Sequence, residues 1–226
     1  MHAEARVSVV LPVKNGERYL AEAIESVLAQ DHPPHEIVVV DGESNDRSAE
    51  IAAGYDRVRV IAKQGTGFAG AWNEGVAASD GEILAFIDSD DLWEPSKLAR
   101  QVECFRERPE VDYVITRVRF LADPRVPLPR GFDPALLEGD HVANMPSALA
   151  IRRTAFEAVG PFRTDYTIAN DIDWFARAKD LPLTLCELPE VLVHKRVHDA
   201  NLSYTAAGRL HEELLDLLRD SVARRR

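Results

Sequence analysis

The stretch of this sequence with the clearest chemical potential is Asp88-Ser89-Asp90-Asp91, which directly follows the apolar residues 83–87. Three carboxylates within four residues repel one another, so their position at the end of a buried strand favours a cationic partner. A divalent ion held by one or two carboxylates and by phosphate oxygens satisfies that need. Such an ion would screen a diphosphate and stabilise it as a leaving group. The pattern predicts a metal site; the alternative is a solvated turn or a cap for the next helix.

A second candidate site is the glycine turn Gly65-Thr66-Gly67-Phe68-Ala69-Gly70, which matches the dinucleotide-binding pattern. It follows a predicted strand, opens a predicted helix and has Asp88 about twenty residues further on. The dinucleotide turn, however, normally follows the first strand of its sheet. The first strand here ends in Pro12-Val13-Lys14-Asn15 instead. A dinucleotide-dependent oxidoreductase is therefore the least favoured interpretation.

Predicted strands and helices alternate in the first ninety residues and place both candidate sites at strand ends. Apolar, β-branched runs predict strands at residues 7–13, 36–40, 58–62 and 83–87, and helical periodicity predicts helices at 17–29, 45–53 and 69–78. This alternation predicts an α/β fold with a Rossmann-like, mostly parallel central sheet and helices on both faces. Ligands bind at the carboxyl ends of such strands. Those ends carry Pro12-Val13, Asp41-Gly42, Lys63-Gln64 and the segment Asp88-Ser89-Asp90-Asp91, which we call the aspartate run.

The second half of the chain has a less regular pattern. It predicts a helix at residues 92–106, a strand at 113–120, a loop at 122–134, helices at 152–159 and 171–178, and a last strand at 191–197. Leucines spaced between Leu210 and Val222 predict an amphipathic C-terminal helix, which ends in an Arg-Arg-Arg tail. We expect this helix to pack on the core; homodimer formation and contact with an anionic membrane are the alternatives.

Composition bounds the class of protein. The 226 residues are 46 % hydrophobic and 29 % charged, which is typical of a soluble globular chain. A net charge of −11 argues against nucleic-acid binding, which needs clustered Lys and Arg. Cys104 and Cys186 form no metal-binding or disulfide pattern and suit a reducing compartment. Residues 1–6 do not resemble a signal peptide, and no apolar run reaches the roughly 20 residues that span a bilayer. We therefore expect a cytoplasmic protein, peripheral at the inner face of the membrane at most.

Five segments together carry a family resemblance over most of the chain. They are Val9-Val10-Leu11-Pro12-Val13-Lys14-Asn15-Gly16, Glu36-Ile37-Val38-Val39-Val40-Asp41-Gly42, Phe86-Ile87-Asp88-Ser89-Asp90-Asp91, Asn170-Asp171-Ile172-Asp173-Trp174-Phe175 and Arg196-Val197-His198-Asp199-Ala200-Asn201-Leu202-Ser203. Each is weak alone, but in this order and spacing they resemble the family 2 glycosyltransferases with the GT-A fold. The resemblance implies one GT-A domain over residues 1–226, with a nucleotide-sugar-binding half (1–91) and an acceptor-binding half (92–226).

The resemblance implies a nucleotide-sugar donor, with a UDP-sugar favoured and dTDP or GDP left open. The residues that it places against the donor are Pro12, Val13 and Asn15 at the nucleoside, Asp41 at the base, and Gly67, Asp88 and Arg196. One departure concerns this donor contact. Members often carry an arginine where this chain has Trp72, so either a cationic contact is lost or Trp72 serves core packing.

The same resemblance implies that Asp88 and Asp90 form the Asp-x-Asp pair that meets Mn²⁺ or Mg²⁺ and the ribose, with His198 at the metal or pyrophosphate. Asp171 matches the base that deprotonates the acceptor hydroxyl in an inverting displacement. The alternative for Asp171 is a helix N-cap, and Asp173 is the second candidate for the base.

The acceptor itself is not readable from the sequence; a glycan, a lipid-linked sugar and a small metabolite all remain open. A non-catalytic protein that binds nucleotide sugars is the main alternative function, and donor hydrolysis separates the two. A nucleotidyltransferase normally begins with a glycine-rich, arginine-bearing loop, which residues 12–18 lack.

Overall fold

The structure is a computed structural model that describes residues 5–205 and 207–224. At its centre lies one nine-stranded sheet. The strands are β1 (Val7–Val13), β2 (Glu36–Asp41), β3 (Val58–Ala62), β4 (Ile83–Phe86), β5 (Leu92–Trp93), β6 (Tyr113–Ala122), β7 (His141–Val142), β8 (Leu149–Arg152) and β9 (Leu185–Val197). The helices are α1 (Leu20–Leu28), α2 (Ser48–Ala53), α3 (Gly67–Ala78), α4 (Lys97–Glu107), α5 (Arg153–Val159), α6 (Asn170–Lys179), α7 (Leu202–Thr205) and α8 (Ala207–Arg224).

Strand order in the sheet is β3-β2-β1-β4-β8-β6-β9-β5, with β7 paired to β6. The first four strands are parallel, as the alternating pattern predicts. β8 then pairs antiparallel with both β4 and β6, while β9 is parallel to β6. All seven residues of β1 are buried, which explains its continuous apolar run. The result is a mixed, mostly parallel sheet whose first half matches the prediction strand by strand.

Helices pack on both faces of the sheet, as predicted. One core contains Leu11, Ile24 and Leu98 and lies beneath α1 and α4. The other contains Trp72 of α3 and Trp174 of α6. Cys104 and Cys186 are both free and buried, so these thiols serve packing.

The predicted helix at residues 92–106 is wrong at its beginning. Leu92 and Trp93 form β5, which pairs antiparallel with β9, and α4 starts only at Lys97. The predicted last strand is also too short, because β9 begins at Leu185 and follows β6 along its whole length. Both errors concern β9, whose partners lie about 70–100 residues away, beyond the reach of a local periodicity argument.

The C-terminal helix α8 packs on α6 and the loop before it through a small separate cluster, so the expected packing is met only in part: Leu218 and Val222 of its predicted apolar face are 60 % and 55 % exposed. Leu217 is buried against Tyr166 and Ala169, next to α6. The carboxylate of Glu213 accepts hydrogen bonds from the backbone N–H groups of residues 167–169, at 2.8–2.9 Å. α8 therefore holds the loop that leads into α6. Residues 225 and 226 of the arginine tail lie outside the described residues. Within residues 5–205 and 207–224, no helix is both long enough and apolar enough to cross a bilayer.

Candidate active site

A cavity of about 560 Å³ opens where β1, β4 and β9 end. The residues in its lining that matter for chemistry are Asp88, Asp90, Asp171, Lys195 and His198. Four of these five were singled out in the sequence, and they come from three separate segments of the chain. The structure therefore brings the aspartate run, the start of α6 and the end of β9 to one place.

A smaller cavity of about 390 Å³ adjoins the larger one. Lys14, Phe68, Thr167 and Leu202 line both. The residues of the smaller cavity that were predicted to meet the donor are Pro12, Val13 and Gly67. An elongated ligand can therefore extend from Pro12, Val13 and Gly67 in the smaller cavity to the aspartate run in the larger one.

The aspartate run presents three carboxylates whose oxygen atoms lie within 4.8 Å of one another. Asp91 is completely buried and its Oδ2 accepts a 2.7 Å hydrogen bond from the Ser147 hydroxyl. Burial raises the pKa of Asp91 to about 8; the charges of Asp90 and Asp88 add to this, while Lys195 opposes it. Oxygen ligands at this spacing are the set that Mg²⁺ or Mn²⁺ prefers. The residues present thus fit a divalent ion, and Asp91 is a third acid that the sequence reasoning did not assign to it.

Lys195 is the main functional residue that the sequence analysis missed. Its Nζ lies 2.7 Å from Oδ2 of Asp88 and 3.3 Å from Oδ2 of Asp91. Burial alone would lower the pKa of this lysine, but Asp88, Asp91 and Asp90 raise it well above its usual value. No local pattern pointed to it, because its acidic partners lie more than 100 residues away in the chain.

His198 contacts the aspartate run through Asp90. Its Nε2 lies 2.9 Å from Oδ2 of Asp90, and the same oxygen accepts a 2.9 Å hydrogen bond from Nδ2 of Asn201. The ring of Tyr19 packs against the imidazole, with 4.6 Å between ring centroids. Burial opposes ionisation of Asp90, but Lys195 and His198 outweigh it and lower its pKa. His198 therefore holds Asp90 in place, and its predicted contact with the metal itself stays a prediction.

Asp171, the predicted base, lies in the first turn of α6 and lines the larger cavity. Burial raises its pKa to about 6, and the charge of Asp88 adds to the effect, although the backbone N–H of Ile172 and the charge of Lys195 oppose it. The alternative reading as an N-cap is wrong, because Ala169 occupies that position. Asp171 is thus a carboxylate with an elevated pKa that faces the same cavity as the aspartate run.

Asp173, the second candidate for the base, points elsewhere. Its side chain is fully buried and its Oδ2 lies 2.7 Å from Nε of Arg177, one helical turn further on. Arg177 in turn donates hydrogen bonds to the carbonyls of Val159 and Pro161. Asp173 therefore anchors α6 to the end of α5 and is not among the residues that line either cavity.

The residues predicted to contact the donor differ in how many of their polar atoms already have hydrogen-bond partners within the protein. Asp41 accepts a hydrogen bond from the Ser44 N–H, while its buried Oδ1 has no hydrogen-bond partner among the described residues. Asn15 lines the larger cavity, but its Oδ1 accepts from the Asn45 N–H and so ties two loops together. Arg196 lines neither cavity: its guanidinium bonds Glu22 and the carbonyl oxygen of Asp90.

The glycine turn before α3 does not present a phosphate cradle. The carboxylate of Glu74, within α3, accepts hydrogen bonds from the backbone N–H groups of Gln64 and Gly65, at 2.8 and 2.5 Å. A negative side chain thus occupies the donors that a dinucleotide phosphate would use. The φ angle of Gly67 is 67°, a left-handed backbone conformation that favours glycine. Gly67 also lines the smaller cavity.

Trp72, at the position where the resemblance implied an arginine, is a core residue. Its side chain is 2 % exposed and makes an edge-to-face contact with Phe86, with 5.3 Å between centroids. The core-packing interpretation is confirmed, although Trp72 is also among the residues that line the larger cavity.

Comparisons with known proteins agree with this geometry. The profile described as Glycosyl transferase family 2 matches residues 8–160. An uncharacterized glycosyltransferase of Rickettsia typhi is 29 % identical over 219 residues, which cover 91 % of this chain and 68 % of that protein. Another, of Nostoc sp., is 43 % identical over 106 residues, or 45 % of this chain and 33 % of that protein. The chain thus spans between a third and about two thirds of these relatives' length.

Solved structures share the fold at lower identity. The mannosyltransferase PcManGT from Pyrobaculum calidifontis, in complex with GDP-Man and Mn²⁺, superposes with a TM-score of 0.69 at 23 % identity and covers 98 % of this chain and 65 % of that one. TarS of S. aureus in complex with UDP-GlcNAc gives 0.68 at 20 % identity, over 87 % of this chain and 60 % of that one. The chain therefore belongs to glycosyl transferase family 2 and has the GT-A fold of that family.

Proposed function

We propose that this chain transfers a sugar from a nucleoside-diphosphate sugar to an acceptor hydroxyl, with inversion and with the help of a divalent ion. The observation that carries the proposal is that Asp171 and the aspartate run line one cavity from different elements. A single displacement requires a base for the acceptor hydroxyl and a site for the leaving diphosphate within one cavity.

The smaller cavity suits the nucleoside of the donor. Gly42, which lines this cavity, follows Asp41 at the end of β2; Asp41 itself is not among the lining residues, and its buried Oδ1 has no hydrogen-bond partner among the described residues. Uracil, thymine and guanine each carry a ring N–H that can donate a hydrogen bond to a carboxylate. UDP is the favoured nucleotide, and GDP and dTDP stay open; the solved neighbours hold UDP-GlcNAc in one case and GDP-Man in the other.

Asp88 and Asp90 are the residues that would hold Mn²⁺ or Mg²⁺. When bound, the ion would supply positive charge that stabilises the diphosphate as it leaves. His198 and Asn201 fix the orientation of Asp90, and Ser147 fixes that of Asp91. These contacts preorganise the carboxylates, which limits the rearrangement needed on binding.

Asp171 would accept the proton of the acceptor hydroxyl. A pKa of about 6 leaves most of this carboxylate ionised at neutral pH and yet makes it more basic than an exposed aspartate. Inversion by a single displacement needs no covalent nucleophile on the enzyme.

Binding of nucleoside diphosphates with and without metal tests this proposal. Calorimetry of UDP, GDP and dTDP in Mn²⁺ and in EDTA should show much tighter binding with metal for one nucleotide. Asp90→Ala should abolish the difference. Equal affinity in Mn²⁺ and EDTA would refute the metal dependence.

The non-catalytic alternative requires a second assay. Slow hydrolysis of the preferred nucleotide sugar in the absence of acceptor supports a transferase, whereas binding without any turnover supports a binding protein. A panel of glycans, lipid-linked sugars and small hydroxylated metabolites then identifies the acceptor class.

A further inference from the structure

The aspartate run already contains a cation that belongs to the chain. Nζ of Lys195 lies 2.7 Å from Asp88 and 3.3 Å from Asp91, and both contacts involve Oδ2 atoms. The side chain of Asp91 is fully buried, and that of Lys195 is 16 % exposed. The ammonium therefore neutralises part of the negative charge that the metal site would offer.

The position of Lys195 is built into the fold. Lys195 lies near the end of β9, between the buried residues Val193 and Val197. Its partner Asp91 is held by other residues. Ser147 and the backbone N–H of Arg196 hold Asp91, and Trp93 holds the Ser147 carbonyl. Because the carboxylate partners of Lys195 are fixed and only 16 % of its side chain is exposed, its ammonium stays beside them in the absence of another anion, so a divalent ion that binds without nucleotide must coexist with a neighbouring positive charge.

We propose that Lys195 is an internal counter-cation that keeps the affinity of the empty site for divalent metal low and couples metal binding to donor binding. The inference rests on the proposed function. Repulsion between the ammonium and a divalent ion weakens metal binding when no nucleotide is present. The larger cavity, which Lys195 lines, gives a donor diphosphate access to the ammonium, and an ion pair between the two draws that charge away from the carboxylates and relieves the repulsion. By linkage, the metal must then favour the diphosphate to the same degree as the diphosphate favours the metal.

Titration of Mn²⁺ without nucleotide, followed by the EPR signal of the free ion, tests the inference. Lys195→Met should bind Mn²⁺ about tenfold or more tightly than the wild type, because the repulsive charge is gone. Lys195→Arg keeps the charge and should retain the wild-type affinity. Lys179→Met, on the exposed last turn of α6, makes the same change in net charge and should also leave the affinity unchanged. Addition of UDP should tighten Mn²⁺ binding in the wild type much more than in Lys195→Met.

Thermal melts cover the case in which Lys195→Met folds poorly. Without Lys195 the carboxylates repel one another, so this variant should melt below the wild type in EDTA and recover in Mn²⁺. Equal Mn²⁺ affinity in wild type and Lys195→Met, or a melting loss that saturating Mn²⁺ does not restore, would overturn the inference and make Lys195 a structural residue.

The outcome stays separable from that of the proposed function. Tighter Mn²⁺ binding by Lys195→Met together with no use of any nucleotide sugar would support the inference and refute the transferase assignment. Turnover of a nucleotide sugar by the wild type, with identical Mn²⁺ titrations for both proteins, would do the reverse.

Discussion

Nε2 of His198 lies 2.9 Å from Oδ2 of Asp90, although 108 residues separate them in the chain. The contact joins the last motif of the sequence to the aspartate run. Asn201 donates to the same oxygen and also accepts from the backbone N–H of His198, so three residues form one closed unit. Asp90 thus depends on the loop after β9 for its orientation.

His198→Ala should weaken Mn²⁺ binding about 10–100-fold, the usual effect of removing a group that orients a metal ligand. A Mn²⁺ titration in the presence of UDP measures the change. His211→Ala is the control, because this histidine is exposed on α8. Unchanged affinity in His198→Ala would show that Asn201 alone orients Asp90.

Asp171→Asn should reduce turnover about 10²–10⁴-fold with nearly unchanged donor affinity, since it preserves shape and removes the base. Steady-state kinetics and donor calorimetry separate the two quantities. Asp173→Asn is the matched comparison and should instead lower the melting temperature, because it weakens the ion pair with Arg177. Weak donor binding by Asp171→Asn would point to a structural role for Asp171.

The pH dependence of kcat/KM should report the base. Because the pKa of Asp171 is raised to about 6, the ionised fraction grows as the pH rises through that value. We expect kcat/KM to fall about tenfold per pH unit below 6 and to level off above it. A rate that is flat between pH 5 and 8 would contradict the assignment of Asp171 as the base.

The product should have the opposite anomeric configuration to the donor. The cavity offers Asp171 as a base on α6, while the carboxylates at the end of β4 are held by Lys195, His198 and Asn201. A single displacement on such a site inverts the anomeric carbon. NMR of the product decides the point, and retained configuration would require a nucleophile that this proposal does not contain.

Gly75→Ala should destabilise the protein by about 1–3 kcal/mol, a typical cost of overpacking a core. An added Cβ would overlap Cγ1 of Val10 and lie 3.1 Å from Cγ2 of Val40, where α3 packs on β1 and β2. Gly208→Ala in α8 is the control: its Cβ meets nothing within 4 Å, so the change should be neutral or slightly stabilising. Urea unfolding of both variants measures the free energies.

Residue patterns alone predict the parallel half of the fold correctly. β1 and β3 begin and end where the pattern predicts, because continuous apolar runs between turn signals leave few other structures open. The placement of Asp41 and Asp88 at the same edge of the sheet follows from the same argument, since parallel strands deliver their carboxyl ends to one edge.

The second half of the chain completes the site through long-range contacts that the residue pattern does not reveal. Leu92 and Trp93 have a helical pattern but pair with β9, because distant strand partners outweigh local propensity. The same applies to side-chain roles, because Asp171 and Asp173 are two residues apart in one motif. The ion pair with Arg177 makes Asp173 an anchor of α6, whereas Asp171 lines the cavity and is the candidate base. Lys195 belongs to the aspartate run because β9 returns beside it, a contact across 107 residues that no local pattern encodes.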